Sequence, residues 1–140
     1  MKNSIRALLS IAIAAVAVSA CNQQSLVSPH PAITNISVAD AYKLYNENLT
    51  NMSFIVLDVR KPDEFSGGHI TGAVNLNYQD PLFQQNAAAL DKSKVYLVYC
   101  KAGTRSAKAS EAMANMGFKK IYNMTGGFDS WSASGYPSEK

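Results

Sequence analysis

Val95-Tyr96-Leu97-Val98-Tyr99-Cys100-Lys101-Ala102-Gly103-Thr104-Arg105-Ser106 is the stretch on which the fold turns. Its first five residues are β-branched, aromatic or aliphatic, and they read as a buried strand. From Ser106 to Met116 the chain carries Ala107, Ala109, Ala112 and Met113, a helical pattern stopped by Gly117. A strand, a loop of about five residues and a helix follow one another. Cys100 stands at the carboxyl end of the strand, with Gly103 inside the loop.

The same alternation extends in both directions. Ser37 caps a predicted helix through Val38, Ala41, Tyr42, Leu44 and Tyr45. After the polar break 46–53, Phe54-Ile55-Val56-Leu57 is a short apolar run suited to a strand buried on both faces. Pro62 to Phe65 reads as a brief helical turn with proline at its start, ended by Gly67-Gly68. Ala73 to Leu76 is a second short strand. Asp80-Pro81 opens a helix expected to turn Leu82, Phe83 and Leu90 inward. Lys120 to Asn123 is a last strand, and Gly126-Gly127 turns the chain towards Phe128 and Trp131. Strands alternating with helices predict an α/β fold, with a mostly parallel central sheet and helices on both faces. In such sheets ligands sit beyond the carboxyl ends of the strands, which is where Cys100 lies.

The amino terminus has a different character. Met1, Lys2 and Arg6 make a basic start, and Leu8 to Val18 is apolar apart from Ser10. A membrane-spanning helix takes ~20 apolar residues, so this shorter run reads as a secretory signal. Val18-Ser19-Ala20-Cys21 resembles the bacterial lipobox. That resemblance implies cleavage before Cys21 and lipidation of its sulfur. Asn22, rather than an aspartate, follows the cysteine, and by the same resemblance this permits sorting to the outer membrane. Residues 22–31 are polar and proline-containing, a flexible tether. The expected organisation is a signal peptide over 1–20, a lipidated end and tether over 21–32, and one domain over 33–140. The expected location is a bacterial cell envelope, on the periplasmic face of the outer membrane.

Of 13 Lys and Arg residues, the signal removes Lys2 and Arg6, leaving 11 against 10 acidic residues, a net charge of +1. No basic stripe interleaved with aromatics is present, so nucleic acid is not an expected partner. The two cysteines could pair in an exported protein. A lipidated Cys21 offers no thiol, and Cys100 then stands alone.

The loop after Cys100 suits an anion. A tight glycine-containing turn directs successive N–H groups at one point, and a helix start adds its positive end. Such surroundings, with Lys101, Arg105 and Lys108 close in sequence, depress a thiol pKa. A nucleophilic thiolate is the functional reading; a buried inert cysteine is the alternative. A cysteine protease needs a histidine base, and only His30 and His69 are present. Gly103 occupies the place where a C-x-x-C motif would have its second cysteine. One Cys and one His in the folded part do not make a zinc site, and neither metal nor cofactor is expected. Sulfur transfer and phosphate-ester cleavage remain.

Cys100-x-x-Gly103-x-Arg105-Ser106 resembles the active-site loop of the rhodanese family. Leu57 to Phe65 with Gly68-His69-Ile70-x-Gly72-Ala73 resembles its early signature, and Gly126-Gly127-Phe128-x-x-Trp131 with Gly135-Tyr136-Pro137 is similar to its closing one. Together they cover Ile33 to Pro137. The resemblance implies a single rhodanese-like domain and a cysteine persulfide on Cys100. A small anionic sulfur donor charges the cysteine; cyanide, a thiol or a partner protein discharges it. It also implies substrate contacts from the loop amides of Lys101, Ala102, Gly103, Thr104, Arg105 and Ser106, with Arg105 supporting the loop or binding the donor. Cysteine phosphatases place five residues between cysteine and arginine; here there are four, which by analogy fits sulfur better than phosphate or arsenate.

Asp58, Arg60 and Glu64 are read as structural, an ion pair and a turn cap near a strand end. In some thiosulfate-using relatives the position of Glu64 holds an arginine that helps bind the donor, and its replacement here puts thiosulfate as natural donor in question. His69 is read as a hydrogen-bonded residue fixing the turn 67–72, and Phe128 and Trp131 as packing. A non-catalytic sulfur-carrier or binding module at the envelope is the rival from another class.

Overall fold

A computed structural model describes residues 30–140; the expected signal over 1–20, Cys21 and the expected tether as far as residue 29 fall outside them. The strand read from Val95-Tyr96-Leu97-Val98-Tyr99 lies in the middle of the sheet. In chain order the elements are β1 (Ile33–Ile36), α1 (Val38–Glu47), β2 (Phe54–Asp58), α2 (Pro62–Ser66), β3 (His69–Ile70), β4 (Val74–Asn75), α3 (Phe83–Ala88), β5 (Val95–Tyr99), α4 (Thr104–Asn115), β6 (Lys120–Met124), α5 (Gly127–Ala133) and β7 (Ser138–Glu139). Five strands form one sheet in the order β1-β6-β5-β2-β4, and β3 with β7 forms a small second one. Every pair in the large sheet is parallel, with Ile55 beside Tyr96 and Tyr96 beside Ile121.

Alternate side chains on a strand point to opposite faces, so one strand feeds two cores. Tyr96 and Val98 of β5 pack with Leu57, Phe83, Met113 and Phe118, beneath α3 and α4. Leu97 and Tyr99 pack with Val56, Ala41, Tyr45 and Trp131, beneath α1 and α5. Both faces are thereby covered, the condition under which an all-parallel sheet is stable.

The helix read after Ser37 forms as expected. Ser37 Oγ accepts from the Asp40 amide at 3.1 Å, satisfying one of the free N–H groups at the helix start. Four expectations change. Helix α4 begins at Thr104 rather than Ser106, so Arg105 and Ser106 belong to its first turn. Gly127 opens α5, where a turn was expected. Leu82 lies outside α3 and is 55% exposed; Phe83 alone fills the buried place at that helix start. The short strands β1, β3 and β7 were not read from the sequence.

Candidate active site

The carboxyl ends of β2, β5 and β6 bring three segments together: Asp58 to Arg60, Cys100 to Gly103, and Thr125 to Gly127. Only Cys100 to Gly103 separate β5 from α4. This turn is tight because two outside amides hold its carbonyls. The Phe128 N–H donates to Cys100 O at 2.8 Å, and the Asp129 N–H donates to Lys101 O at 3.1 Å. Both donors come from the first turn of α5, so that helix start fixes the thiol loop. Two glycines permit the approach. Gly103 has φ 109°, and a Cβ there would collide with the Thr125 carbonyl. Gly127 has φ 64°, and its Cβ would collide with the Lys101 carbonyl.

With the carbonyls of Cys100 and Lys101 turned towards α5, amides turn towards the sulfur. The Gly103 N–H donates to Cys100 Sγ at 3.1 Å. The thiol lies 3.5 Å from Ser106 Oγ, and that hydroxyl donates to Gly103 O at 3.0 Å. Cys100 is 1% exposed. Burial alone pushes its pKa up. The Ser106 hydroxyl and the amides of Ser106, Gly103 and Ala102 outweigh burial, and the thiol ends below its ordinary value. These donors, rather than the lysines singled out in the sequence, are what stabilise the thiolate. Lys101, Ala102, Thr104 and Lys108 are exposed, Gly103 and Arg105 are half-buried, and Ser106 is buried.

Arg105 points to a carboxylate. Its Nη1 and Nη2 donate to Glu64 Oε2 and Oε1 at 2.7 and 2.8 Å, a bidentate pair linking α4 to α2. Glu64 is itself held by the Lys61 N–H at 3.2 Å, across the start of α2. The Arg105 hydrogen bond, against the opposing effect of burial, pulls the Glu64 carboxyl down to about 2.

Asp58 and Arg60 form a second pair, fully inside. Arg60 Nη2 donates to Asp58 Oδ2 at 2.6 Å and to Gly68 O at 2.7 Å, and the Arg60 amide donates to Asp58 Oδ1 at 2.9 Å. The guanidinium lies 4.4 Å from the centre of the Phe128 ring, a cation–π contact. The chain from Asp58 through Arg60 to Phe128 therefore ends at the residue whose amide holds Cys100. Asn75, which sequence reasoning missed, donates to Asp58 O and Arg60 O at 3.0 and 2.9 Å and braces the same corner. An asparagine in a short edge strand gives no sequence signal of that role.

His69 Nδ1 lies 2.9 Å from Phe65 O, its ring stacks on Phe65 at 3.6 Å, and Nε2 faces Glu139 Oε1 at 3.5 Å. The two ring nitrogens thus face α2 on one side and β7 on the other. Trp131 is fully buried and donates from Nε1 to Pro137 O at 2.9 Å. Among the described residues, no group of three His, Cys, Asp or Glu side chains comes together as a metal site.

The rhodanese-like domain model matches residues 37–134, which holds the whole loop and all three strand ends. The chain belongs to the rhodanese-like family. Its rhodanese-like domain is 32% identical to the thiosulfate sulfurtransferase GlpE of Coxiella burnetii, over 70% of this chain and 86% of that protein. It is 42% identical to the uncharacterized protein YqhL of Bacillus subtilis over 54% of this chain, and spans 59% of that relative's length. A crystal structure of a rhodanese-related protein from Thermoplasma volcanium superposes with a TM-score of 0.63 at 33% identity, covering 75% of this chain and 96% of that one. The rhodanese-like domain thus shares the fold of its relatives, with a mostly parallel sheet and helices on both faces.

Proposed function

We propose that this rhodanese-like domain is a sulfurtransferase with Cys100 as nucleophile. The observation that carries the reading is the convergence of the Gly103 amide, the Ser106 hydroxyl and the first turn of α4 on one buried sulfur. In the first half-reaction the Cys100 thiolate attacks the outer sulfur of a small anionic donor. A sulfur–sulfur bond forms, and the donor's own bond to that sulfur breaks with its electron pair leaving on the donor remnant. The persulfide that results is an anion, and the amides that held the thiolate serve it equally. In the second half-reaction a thiophilic acceptor (cyanide, a thiol or a partner protein) attacks the outer sulfur and the Cys100 thiolate leaves. Neither step needs a proton from a histidine, which agrees with His69 being engaged elsewhere. Lys101 to Ser106 are the proposed substrate cradle; Asp58, Arg60, Glu64 and His69 support it. The relatives that carry the name thiosulfate sulfurtransferase support the same chemistry.

The full chain is to be incubated with thiosulfate or polysulfide and weighed intact. The expected result is a gain of one sulfur atom that cyanide removes and that Cys100→Ser lacks. No uptake from either donor leaves the domain a non-catalytic binding module, whereas uptake without turnover to cyanide or a thiol leaves it a sulfur carrier. The spacing of Cys100 and Arg105, with four residues between, and the engagement of Arg105 by Glu64 argue against phosphatase or arsenate-reductase chemistry. We further propose that residues 1–20 are a signal peptide, that Cys21 carries a lipid, that 21–32 tether the domain 33–140, and that the protein works at the periplasmic face of a bacterial outer membrane. The lipobox-like Val18-Ser19-Ala20-Cys21 supports this placement.

A further inference from the structure

We propose that Glu64 sets the charge class of the sulfur donor: by bracing Arg105 it makes the site favour a singly charged sulfane-sulfur anion over a doubly charged one. The inference rests on the sulfurtransferase reading and concerns which donor that reaction accepts.

Arg105 occupies the first turn of α4, one residue before the serine that contacts the thiol. Its charge is felt by Cys100 and by Asp58. Left free, it would offer an incoming anion a planar fork of donors. It is not free. Both terminal nitrogens are taken by the two oxygens of Glu64, and that carboxylate is fixed from behind by the Lys61 amide. The pair is only partly exposed, 22% and 26% at the two side chains, so water does not fully screen it. Glu64, held down to about 2, stays ionised throughout the range in which a thiolate can react.

The other charges near the loop cancel in the same way. Asp58 and Arg60 are paired and buried. Lys101 is exposed, and its charge is screened by solvent. What remains to hold an anion is the amide cradle and the start of α4, whose dipole amounts to about half a positive charge. That suits one negative charge beside a thiolate. A second charge on the donor finds no cation in the loop but the solvent-screened Lys101, and meets the carboxylate of Glu64, whose partner Arg105 is already engaged.

Two donors separate these cases with the same bond broken. Methanethiosulfonate carries one negative charge and thiosulfate carries two. With the first, Cys100–S⁻ and CH3SO2S⁻ give Cys100–S–S⁻ and methanesulfinate. With the second, Cys100–S⁻ and S2O3²⁻ give Cys100–S–S⁻ and sulfite. In each the outer sulfur moves to Cys100, and the electron pair of the broken bond leaves with the sulfonyl sulfur.

The experiment compares kcat/KM for the two donors, with cyanide as acceptor, in the full chain, in Glu64→Gln and in Glu64→Gln/Arg105→Gln. Glutamine retains the hydrogen bond to Lys61 and the shape of the α2 start while removing the charge. The original chain is expected to favour methanethiosulfonate. Glu64→Gln should shift the ratio towards thiosulfate by roughly fivefold, chiefly through the KM for thiosulfate, as expected for one unit charge several ångströms from the donor. The double variant should return the ratio to its starting side, because the freed arginine is gone. A purely structural role for Glu64 would lower both values together and leave the ratio unmoved, which overturns the inference. So does an original chain that favours thiosulfate, or a double variant that behaves as Glu64→Gln. Turnover of both donors with an unmoved ratio leaves sulfur transfer standing; turnover of neither removes sulfur transfer itself.

Discussion

At the scale of single residues, Ser106 governs the state of the thiol. In the neutral pair the thiol faces Ser106 Oγ while that hydroxyl donates to Gly103 O. When the sulfur ionises, a rotation of the hydroxyl about its C–O bond turns its hydrogen to the sulfur, at no cost in backbone movement. Ser106→Ala removes this donor and leaves burial less opposed. The Cys100 pKa should then rise, so the pH profile of alkylation by iodoacetamide moves to the alkaline side. The sign is that of an acid whose charged form has lost a partner. Sulfur uptake at neutral pH should fall by roughly tenfold, the size of a charge-assisted hydrogen bond, and recover as pH rises through the new pKa. An unmoved profile would show that the amides of Gly103 and Ala102 suffice. Glu64 is the residue whose meaning changed most. In the sequence it was a departure from an arginine; in space it is the partner that occupies Arg105.

Elements show why reading outward from Cys100 succeeded where it did. The dense apolar run of β5 and the small residues of α4 declare themselves through composition and period, and they alone place the thiol at a strand end. The start of α4 was misplaced by two residues because its cap is Gly103 in a left-handed conformation, with no side chain to mark it. Helix α5 was hidden for a related reason: its first residue, Gly127, looks like a breaker. Strands β3 and β7 are two residues long and exist only because His69 pairs with Glu139 and Ile70 with Ser138 across the fold. The Arg105–Glu64 pair joins residues forty-one apart in the chain, a contact that no local pattern announces. Gly127 is the element-level test. Gly127→Ala pays for φ 64° and drives a Cβ into the Lys101 carbonyl, whereas Gly135→Ala pays for φ 71° with open space around it. We expect Gly135→Ala to cost about 1 kcal/mol and Gly127→Ala roughly 2 kcal/mol more. Urea midpoints measure both, and sulfur uptake should fail only in Gly127→Ala. Equal costs would mean that the loop yields freely to α5.

The whole molecule has two ends. All strands of the large sheet run the same way, so the chain enters at one end of the sheet and Cys100 sits at the other. His30 and Pro31 line a groove with Ala114, Asn115, Gly117 and Lys119, at the end where α4 finishes and β6 begins. β1 starts two residues later, its Ile33 beside Ile121. An anchor at Cys21 would therefore pull on the end remote from the thiol. Strands of five residues rise ~3.3 Å per residue, which alone separates the two ends by about 17 Å. Anchored in this way, the domain would present Cys100 to the aqueous phase and to soluble donors and acceptors rather than to the lipid surface. Two measurements test the arrangement. Incorporation of labelled palmitate should occur in the original chain and vanish in Cys21→Ala. In cell-envelope vesicles with the protein on the outside, a membrane-impermeant persulfide-reactive probe should label sulfur-charged Cys100 as fast as in detergent solution. Palmitate labelling that survives Cys21→Ala would remove the anchor, and labelling of Cys100 several-fold slower on vesicles would mean that the thiol faces the membrane.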